Sequence, residues 1–438
     1  MIKRPLFRQT VGLIHGQRQT QHGAATLVIV MVLFFIMTLM AAYANRNLVF
    51  EQRMASNYYR AGVAMDAAEA GTEWALAMLN GNHIDAACLP TGDGNSFRDR
   101  YLSIDPASRI ISPALMPAPI AVADCVSSAA TQTWVCRCPA SGAYVQAPVL
   151  AGAAQMQPTF RVSLETTLPV IPARAGVTRI ASRGCTSMVV AHCDTPGLDS
   201  LLGAAVVHMD AALVSALKTP PATPLTVKGK TTALNGLGLH NTDPRGSGLL
   251  LVAGDVWSGL LDERMDSSPG SPVQQALIND PGLGMPDKMF AMFFGMSPGK
   301  YQAQPAMRSL SCPAASDCGP ALLAAYNNGV RLAWIAGPMI ISTNIALGTA
   351  NAPMLIVVDG QMTLIGGMRL SGLIYTRGNA DWSNAGVAPA LLTGALLVEG
   401  DLTVSGTMDL LYDVDVMAQL SNRAGSFVRV PGSWWDSN

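Results

Sequence analysis

The chain has 438 residues, enough for about three domain-sized units. Its formal net charge is −1 and only 13% of its residues are charged, against roughly 25% in an ordinary soluble domain. At 50% hydrophobic it is not an intrinsically disordered chain, and its neutral balance argues against a nucleic-acid binder, which carries a basic face.

Lys3, Arg4, Arg8 and Arg18 are the only charges before residue 24, and the stretch Ala24 to Ala44, AATLVIVMVLFFIMTLMAAYA, carries none. As a helix this stretch spans about 31 Å and matches the hydrocarbon core of a bilayer, about 30 Å thick. The basic flank predicts a single membrane pass with a cytoplasmic N-terminus and an exported remainder. Three fates are open for the segment. Ala42-Tyr43-Ala44 fits a small-x-small signal-peptide site, although the apolar run is longer than such signals need. A cut after Gly23 would spare the helix, and an uncleaved anchor is the third.

From Asn45 to Asn80 there is no proline, and Leu48, Met54, Tyr58, Ala61, Met65, Ala68, Leu76 and Leu79 recur at helical spacing, with Gly81 as a C-terminal stop. The membrane helix is therefore expected to run on as one exposed amphipathic helix, which a cleaved signal peptide has no reason to do. Asp66, Glu69 and Glu73 fall on one stripe of it. That stripe is either a solvated face or an acidic contact line for a neighbouring helix.

The leader ending in glycine, the apolar helix that starts at once, and the strings EQRMASN (51–57) and AAEAG (67–71) resemble the PilX family, minor pilins of the type IV pilus. The resemblance covers the first 80 residues, and FVRVPGSWWDSN at 427–438 is similar to the tail of long PilX-type chains. It implies that prepilin peptidase cuts after Gly23 and that Ala24 becomes the N-methylated terminus. It implies an assembly helix that includes Val28, Glu51, Arg53, Asp66, Glu69 and Glu73. The implied partners are other minor pilins, the major pilin, the inner-membrane assembly platform and a tip adhesin, with a final location at the pilus tip. One position departs from the pilin pattern. Most pilins carry a glutamate five residues into the mature chain, where this one has Val28. A charged side chain in hydrocarbon costs roughly 2.5–3.5 kcal/mol, so Val28 eases insertion and removes a device for pairing with a neighbour's terminal amine. Such a loss suits a subunit with nothing above it.

Residues 82–157 read as loops, broken by Pro90, Pro106, Pro113, Pro117, Pro119 and Pro139. TFRVSLETT, VTRIASRG and AAVVHMDAALV, within 159–216, alternate as strands of a small sheet, closed by the linker LKTPPATP at 217–224. Beyond it lies an internal repeat. VDGQMTLIGGMRL (358–370) matches VEGDLTVSGTMDL (398–410) at an offset of 40, SGLIYTRG (371–378) matches TGALLVEG (393–400) at 22, and LTVKG (225–229) echoes LTVSG (402–406). Short apolar strands punctuated by glycine at this period predict coils of a parallel β-solenoid. An irregular antiparallel sandwich is the rival. Residues 266–330 read as a helical insertion at its mouth, with Asp287 capping KMFAMFF and Met289, Phe290, Met292, Phe293 and Phe294 in the core.

The eight cysteines, an even number, fit an oxidising compartment. Cys312 with Cys318 and Cys185 with Cys193 are close enough in sequence to close local loops. Cys136 and Cys138 are too near to pair with each other, so each reaches elsewhere, with Cys88 and Cys125 the candidates. Zinc is the weaker reading, because His192-Cys193-Asp194 and Cys136/Cys138 lack paired C-x₂-C spacing.

Enzyme motifs fail. Gly295-Met296-Ser297-Pro298-Gly299 has the nucleophile-elbow spacing, but Pro298 has no N–H for an oxyanion and the last histidine is His240. Gly229-Lys230-Thr231 has Pro224 where a P-loop needs glycine, and Asp93-Gly94-Asn95 lacks the remainder of a calcium loop. No catalysis, metal or cofactor is expected.

The sequence thus predicts an α+β chain, a long N-terminal helix packed on a small antiparallel sheet followed by a mainly β, solenoid-like region. Its parts are a leader at 1–23, a membrane helix at 24–44, its exposed continuation at 45–81, cysteine-bearing loops and a pilin-like sheet at 82–216, and a solenoid at 217–438. The expected role is to prime or cap a type IV pilus at its tip. A tip pseudopilin of a type II secretion system, or an anchored solenoid adhesin or polysaccharide-acting protein, are the alternatives.

Overall fold

The computed structural model describes residues 22–114, 120–128, 130–139, 157–165, 174–187, 202–234, 236–285, 288–313, 315–384 and 390–437. The chain divides into two compact units, 1–59 and 60–438. The described part of the first is helix alone. A single helix, α1 (His22–Leu79), runs on from it into the second, as expected for a stretch without proline between Pro5 and Pro90.

In the second unit the last turns of α1 bury Ala64, Ala67, Ala68, Gly71, Thr72, Ala75 and Leu79. This small-residue face lies on an antiparallel sheet ordered Gly425–Arg429, Ala204–Ser215, Val177–Cys185, Thr159–Glu165, Ile120–Ser128, Thr133–Arg137. The approach is close. A Cβ on Gly184 would collide with the Ala64 carbonyl, and one on Gly71 with the Ser182 hydroxyl. Trp74, Phe97 of the short helix α2 (Phe97–Tyr101) and Phe160 fill the lower end, with Trp74 edge-on to Phe97 at 5.6 Å. On the other side of the sheet, Arg161 grips the buried Asp124 through two hydrogen bonds of 2.8 Å.

Two departures from the sequence reading concern this sheet. The stretch read as loops supplies two of its strands, Ile120–Ser128 and Thr133–Arg137. IAVADCVSS escapes a period-two reading because Val122, Ala123, Asp124, Cys125 and Val126 are all buried, so both faces are covered and nothing alternates. Further, the chain end does not stay with the second half. Gly425–Arg429 and Trp435–Ser437 both pair antiparallel with Ala204–Ser215. Trp435 stacks on His208 at 5.0 Å, with the Arg179 guanidinium 4.5 Å from its ring.

Between those strands lies a large region of parallel sheets, one of twelve strands and one of six. Successive passes of the chain place a strand in each. In the larger sheet Ile356, Ile374, Leu396, Leu225, Leu251 and Leu277 stand in one apolar column across neighbouring strands. At a corner, Gly337, Gly360, Gly378, Gly400 and Gly229 stack so closely that a Cβ on four of them would strike the glycine below. The 22-residue offset is a nearest-neighbour register, Ser371 opposite Thr393 and Gly372 opposite Gly394. The 40-residue offset joins strands two apart, because Val358 faces Thr376 and Thr376 faces Val398.

The echo of LTVKG is corrected. Leu225 faces Leu396, so LTVKG lies beside LLVEG (396–400), while Leu402 faces Thr231. Both sheets end strands in Val-x-Gly, and a five-residue match cannot tell one from the other. The order of strands also differs from chain order. The run from 225 to 279 is laid against the last strands of the run from 332 to 411, through 225–227 on 396–398, 231–233 on 402–404 and 237–240 on 408–411.

The segment 266–330 is only partly helical. It gives strands Leu277–Asn279 and Arg308–Leu310 to the large sheet. Its helices α3 (Lys288–Phe294) and α4 (Pro298–Gln302) cover the flank of the sheet and not its mouth, with Phe290 5.1 Å from Tyr375. Met289, Phe290, Phe293 and Phe294 are buried there, but Met292 is 41% exposed. Helix α5 (Gly319–Asn327) packs Leu322 into the inner core, and α6 (Val414–Asn422) packs Val416, Met417 and Leu420 beside α3. Asp287 lies outside the described residues. Ser297 is the residue before α4, with Pro298 in its first turn, so the elbow-like spacing is a helix start.

Candidate assembly helix and its anchorage

The first unit presents α1 with its side chains bare from Ala24 to Tyr59 apart from half-buried Ser56. Its best window has a mean hydropathy of 2.7 with no part buried, so it has the length and composition of a membrane anchor. Val28 is 58% exposed among Leu27, Ile29 and Met31. The one described hydroxyl deep in the apolar stretch, Thr38, donates back to the carbonyls of Phe34 and Phe35 at 3.0 and 2.9 Å, which satisfies it without water. Gly23 and Ala24 fall in the first turn of the helix, and the leader residues 1–21 lie outside the described residues. Glu51 and Arg53 are exposed on the helix surface.

In the second unit the acidic stripe splits. Asp66 and Glu69 face solvent, whereas Glu73 forms an ion pair with Arg429 of the strand Gly425–Arg429. Glu73 is therefore tied to the fold, although its side chain stays 56% exposed. The helix end is fixed one residue before the expected glycine stop. The Asn80 side chain donates to Leu76 O and Phe427 O, each at 2.9 Å, and accepts the Phe427 amide at 2.8 Å. Arg308 donates to the Asn80 carbonyl at 2.6 Å. With no basic residue in its own last turn, α1 thus borrows a cation for its negative end. Burial lowers the Arg308 pKa below its usual value.

Asn80 had a sequence signal, an Asn just past the last periodic residue. Arg308 had none, and although Phe427 and Arg429 lie in the tail FVRVPGSWWDSN, no local pattern ties that tail to α1.

The cysteines brace the region next to this anchorage. Cys88 is joined to Cys138 and Cys125 to Cys136, while Cys312 and Cys318 close a local loop. Cys136 and Cys138 thus reach different partners, and as disulfide sulfurs they are not zinc ligands. Cys185 is disulfide-bonded as well; His192 and Cys193 lie outside the described residues. Among the described residues no cluster of His, Cys, Asp and Glu could hold a metal ion.

Residues 22–73 match the family described as PilX N-terminal. The N-terminal helix of this chain is therefore similar to that of PilX-type pilins. The matched segment is α1 up to Glu73, so it takes in the bare apolar stretch and most of the alanine-rich seat on the sheet. No curated protein matches the chain. Among solved structures it aligns with the competence-associated pilin ComZ from Thermus thermophilus at 10% identity, over 86% of this chain and 97% of that one, with a TM-score of 0.22. That score is too low for the alignment to bear on fold or role.

Proposed function

We propose that this PilX-type chain is a minor pilin of type IV pilus assembly that primes or caps the filament at its tip. One observation carries the reading. A charge-free helical surface stands bare through Ala44, while the same helix is seated on a sheet from Ala64 onward. Such a surface is stable only against lipid or against other apolar helices. The helix is first held in the inner membrane, with the head in the periplasm. After prepilin peptidase cuts behind Gly23 and Ala24 is methylated, it passes into the filament, where helices of the major pilin and other minor pilins replace lipid.

Two features favour the tip over the shaft. Val28 gives no carboxylate for pairing at each step of a repeating array. The head carries a parallel region, a β-solenoid in our reading, too bulky to tile a thin filament, and it leaves a broad surface free for an adhesin. The assembly platform in the inner membrane is the remaining partner in this reading.

A clean deletion tests it. Surface pili should be lost or sharply reduced while the major pilin accumulates in the membrane, and the mature protein should begin at methylated Ala24. Normal piliation in the deletion, immunogold label at regular spacing along the shaft, or a mature chain that starts at Asn45 would each overturn the proposal.

A further inference from the structure

Beneath α2, in the second unit, lies a cavity of about 260 Å³. Its lining is unusual in charge. Arg98, Arg331 and Arg423 border it together with one carboxylate, Asp99, and with His83 and Gln419. Each guanidinium is tied down through one nitrogen. Arg98 Nη1 donates to Gly425 O at 3.3 Å, Arg423 Nη1 to Gln419 Oε1 at 3.2 Å, and Arg331 Nη1 to the carbonyls of Tyr326 and Val330 at 2.9 and 3.2 Å. The Tyr326 ring lies 4.3 Å from the Arg331 guanidinium and fixes its plane.

All three cations line the same cavity as Asp99. Burial pushes the Asp99 carboxyl up, yet Arg98, the Ser96 hydroxyl, Arg331 and Arg423 together hold it below its usual value. Asp99 is 3.7 Å from Arg98 Nε, and its side chain remains 44% exposed. Burial and then the charge of Arg331 hold His83 below its usual pKa, and its buried Nδ1 has no hydrogen-bond partner. Arg331 and Arg423 also sit at the C-terminal ends of α5 and α6, which accounts for one edge of each and leaves the others open.

We propose that this cavity binds a small oxyanion of the size and charge of phosphate, held by the open edges of Arg98, Arg331 and Arg423. Guanidinium groups match tetrahedral oxyanions through paired N–H donors, and three of them against one carboxylate leave positive charge unmatched among the described lining residues. The volume exceeds that of a phosphate group several-fold, so the anion is either the free ion with water around it or the terminal phosphate of a larger molecule.

The test uses the full chain in detergent micelles at fixed ionic strength, titrated calorimetrically with inorganic phosphate and, separately, with glucose 6-phosphate. Saturable binding is expected in wild type. Arg423→Gln, whose side-chain bond lies within α6, should weaken it about tenfold or more, and Arg423→Lys should recover part of the loss. Asp99→Asn should tighten binding, because it removes the competing negative charge. Tighter binding of the sugar phosphate would identify the source as a phosphorylated molecule, and equal or weaker binding as the free ion. Absence of saturation with either, an Arg423→Gln variant that binds like wild type, or weaker binding by Asp99→Asn would overturn the proposal.

Discussion

Ser215 and Gly425 face each other across adjacent antiparallel strands, although the whole parallel region lies between them in the chain. The two strands are in effect the arms of a hairpin, with that region in the place of its turn. Ala216 N still donates to Ala424 O at 3.0 Å just beyond them.

It follows that residues 217–423 can be replaced by a short Gly-containing turn. The excised protein should keep α1 seated on its sheet and unfold cooperatively. If assembly needs only that core, the variant should restore pili to a deletion strain while losing whatever the parallel region binds. A simple truncation after Ala216 should fail instead, since it strips away the strand Gly425–Arg429 along with the partners of Asn80 and Glu73. Thermal unfolding of both variants and pilus counts separate these outcomes.

Asn80→Ala leaves the buried N–H and C=O of Phe427 without their side-chain partners. The cost should be about 1–3 kcal/mol, seen as a lower Tm and as faster amide exchange at Phe427. Asn80→Asp keeps the acceptor but sets a carboxylate against the Leu76 and Phe427 carbonyls at the negative end of α1, so it should cost at least as much near neutral pH.

Much of this anchorage was invisible in the sequence, and the reason is physical. A charge-free run such as Ala24–Ala44 and a register such as Gly372 opposite Gly394 leave local or periodic traces, so the helix and the parallel strands could be read. Asn80 with Phe427, Arg308 with the end of α1, and Leu225 with Leu396 meet over long stretches of chain, where no period links them. The strand Ile120–Ser128 was hidden differently, by being buried on both faces. Of the acidic stripe, the sequence located all three residues but could not know that Arg429 would come back to claim Glu73.

Gly184→Val puts a branched side chain where the Ala64 carbonyl sits. Overpacking of this kind costs about 1–3 kcal/mol. It should also lift the helix from the sheet, so limited proteolysis near residues 60–70 is expected to accelerate. The same substitution at Gly62, which has open space around it, should change far less and serves as the control.

Stability should fall as pH drops through about 6.5, the ordinary histidine value. Burial lowers the pKa of His83 and of His208, outweighing the pull of Glu165 on the latter. A depressed histidine means that the unfolded chain takes up protons first, so protonation favours unfolding below that point and stability is regained as pH rises. His83→Gln and His208→Gln should each flatten part of the slope in Tm against pH. A slope of unchanged steepness in the double variant would exclude both.

Non-reducing peptide mapping should recover Cys88 linked to Cys138 and Cys125 linked to Cys136. Replacing the first pair with serine should destabilise the protein by about 2–4 kcal/mol, read as a lower midpoint in denaturant.

The placement of strand Leu225–Val227 against Ala390–Val398 sets a timetable for the newly made chain. The segment from 225 to 279 is made first, yet the strand it must lie beside follows only after most of the remaining chain. Until then one long edge stands open, with its backbone groups unpaired and able to recruit a stranger. Contacts of such range are slow to form. The parallel region should therefore mature late and in one step, and a chain halted before residue 390 should be a target for proteases and holding chaperones.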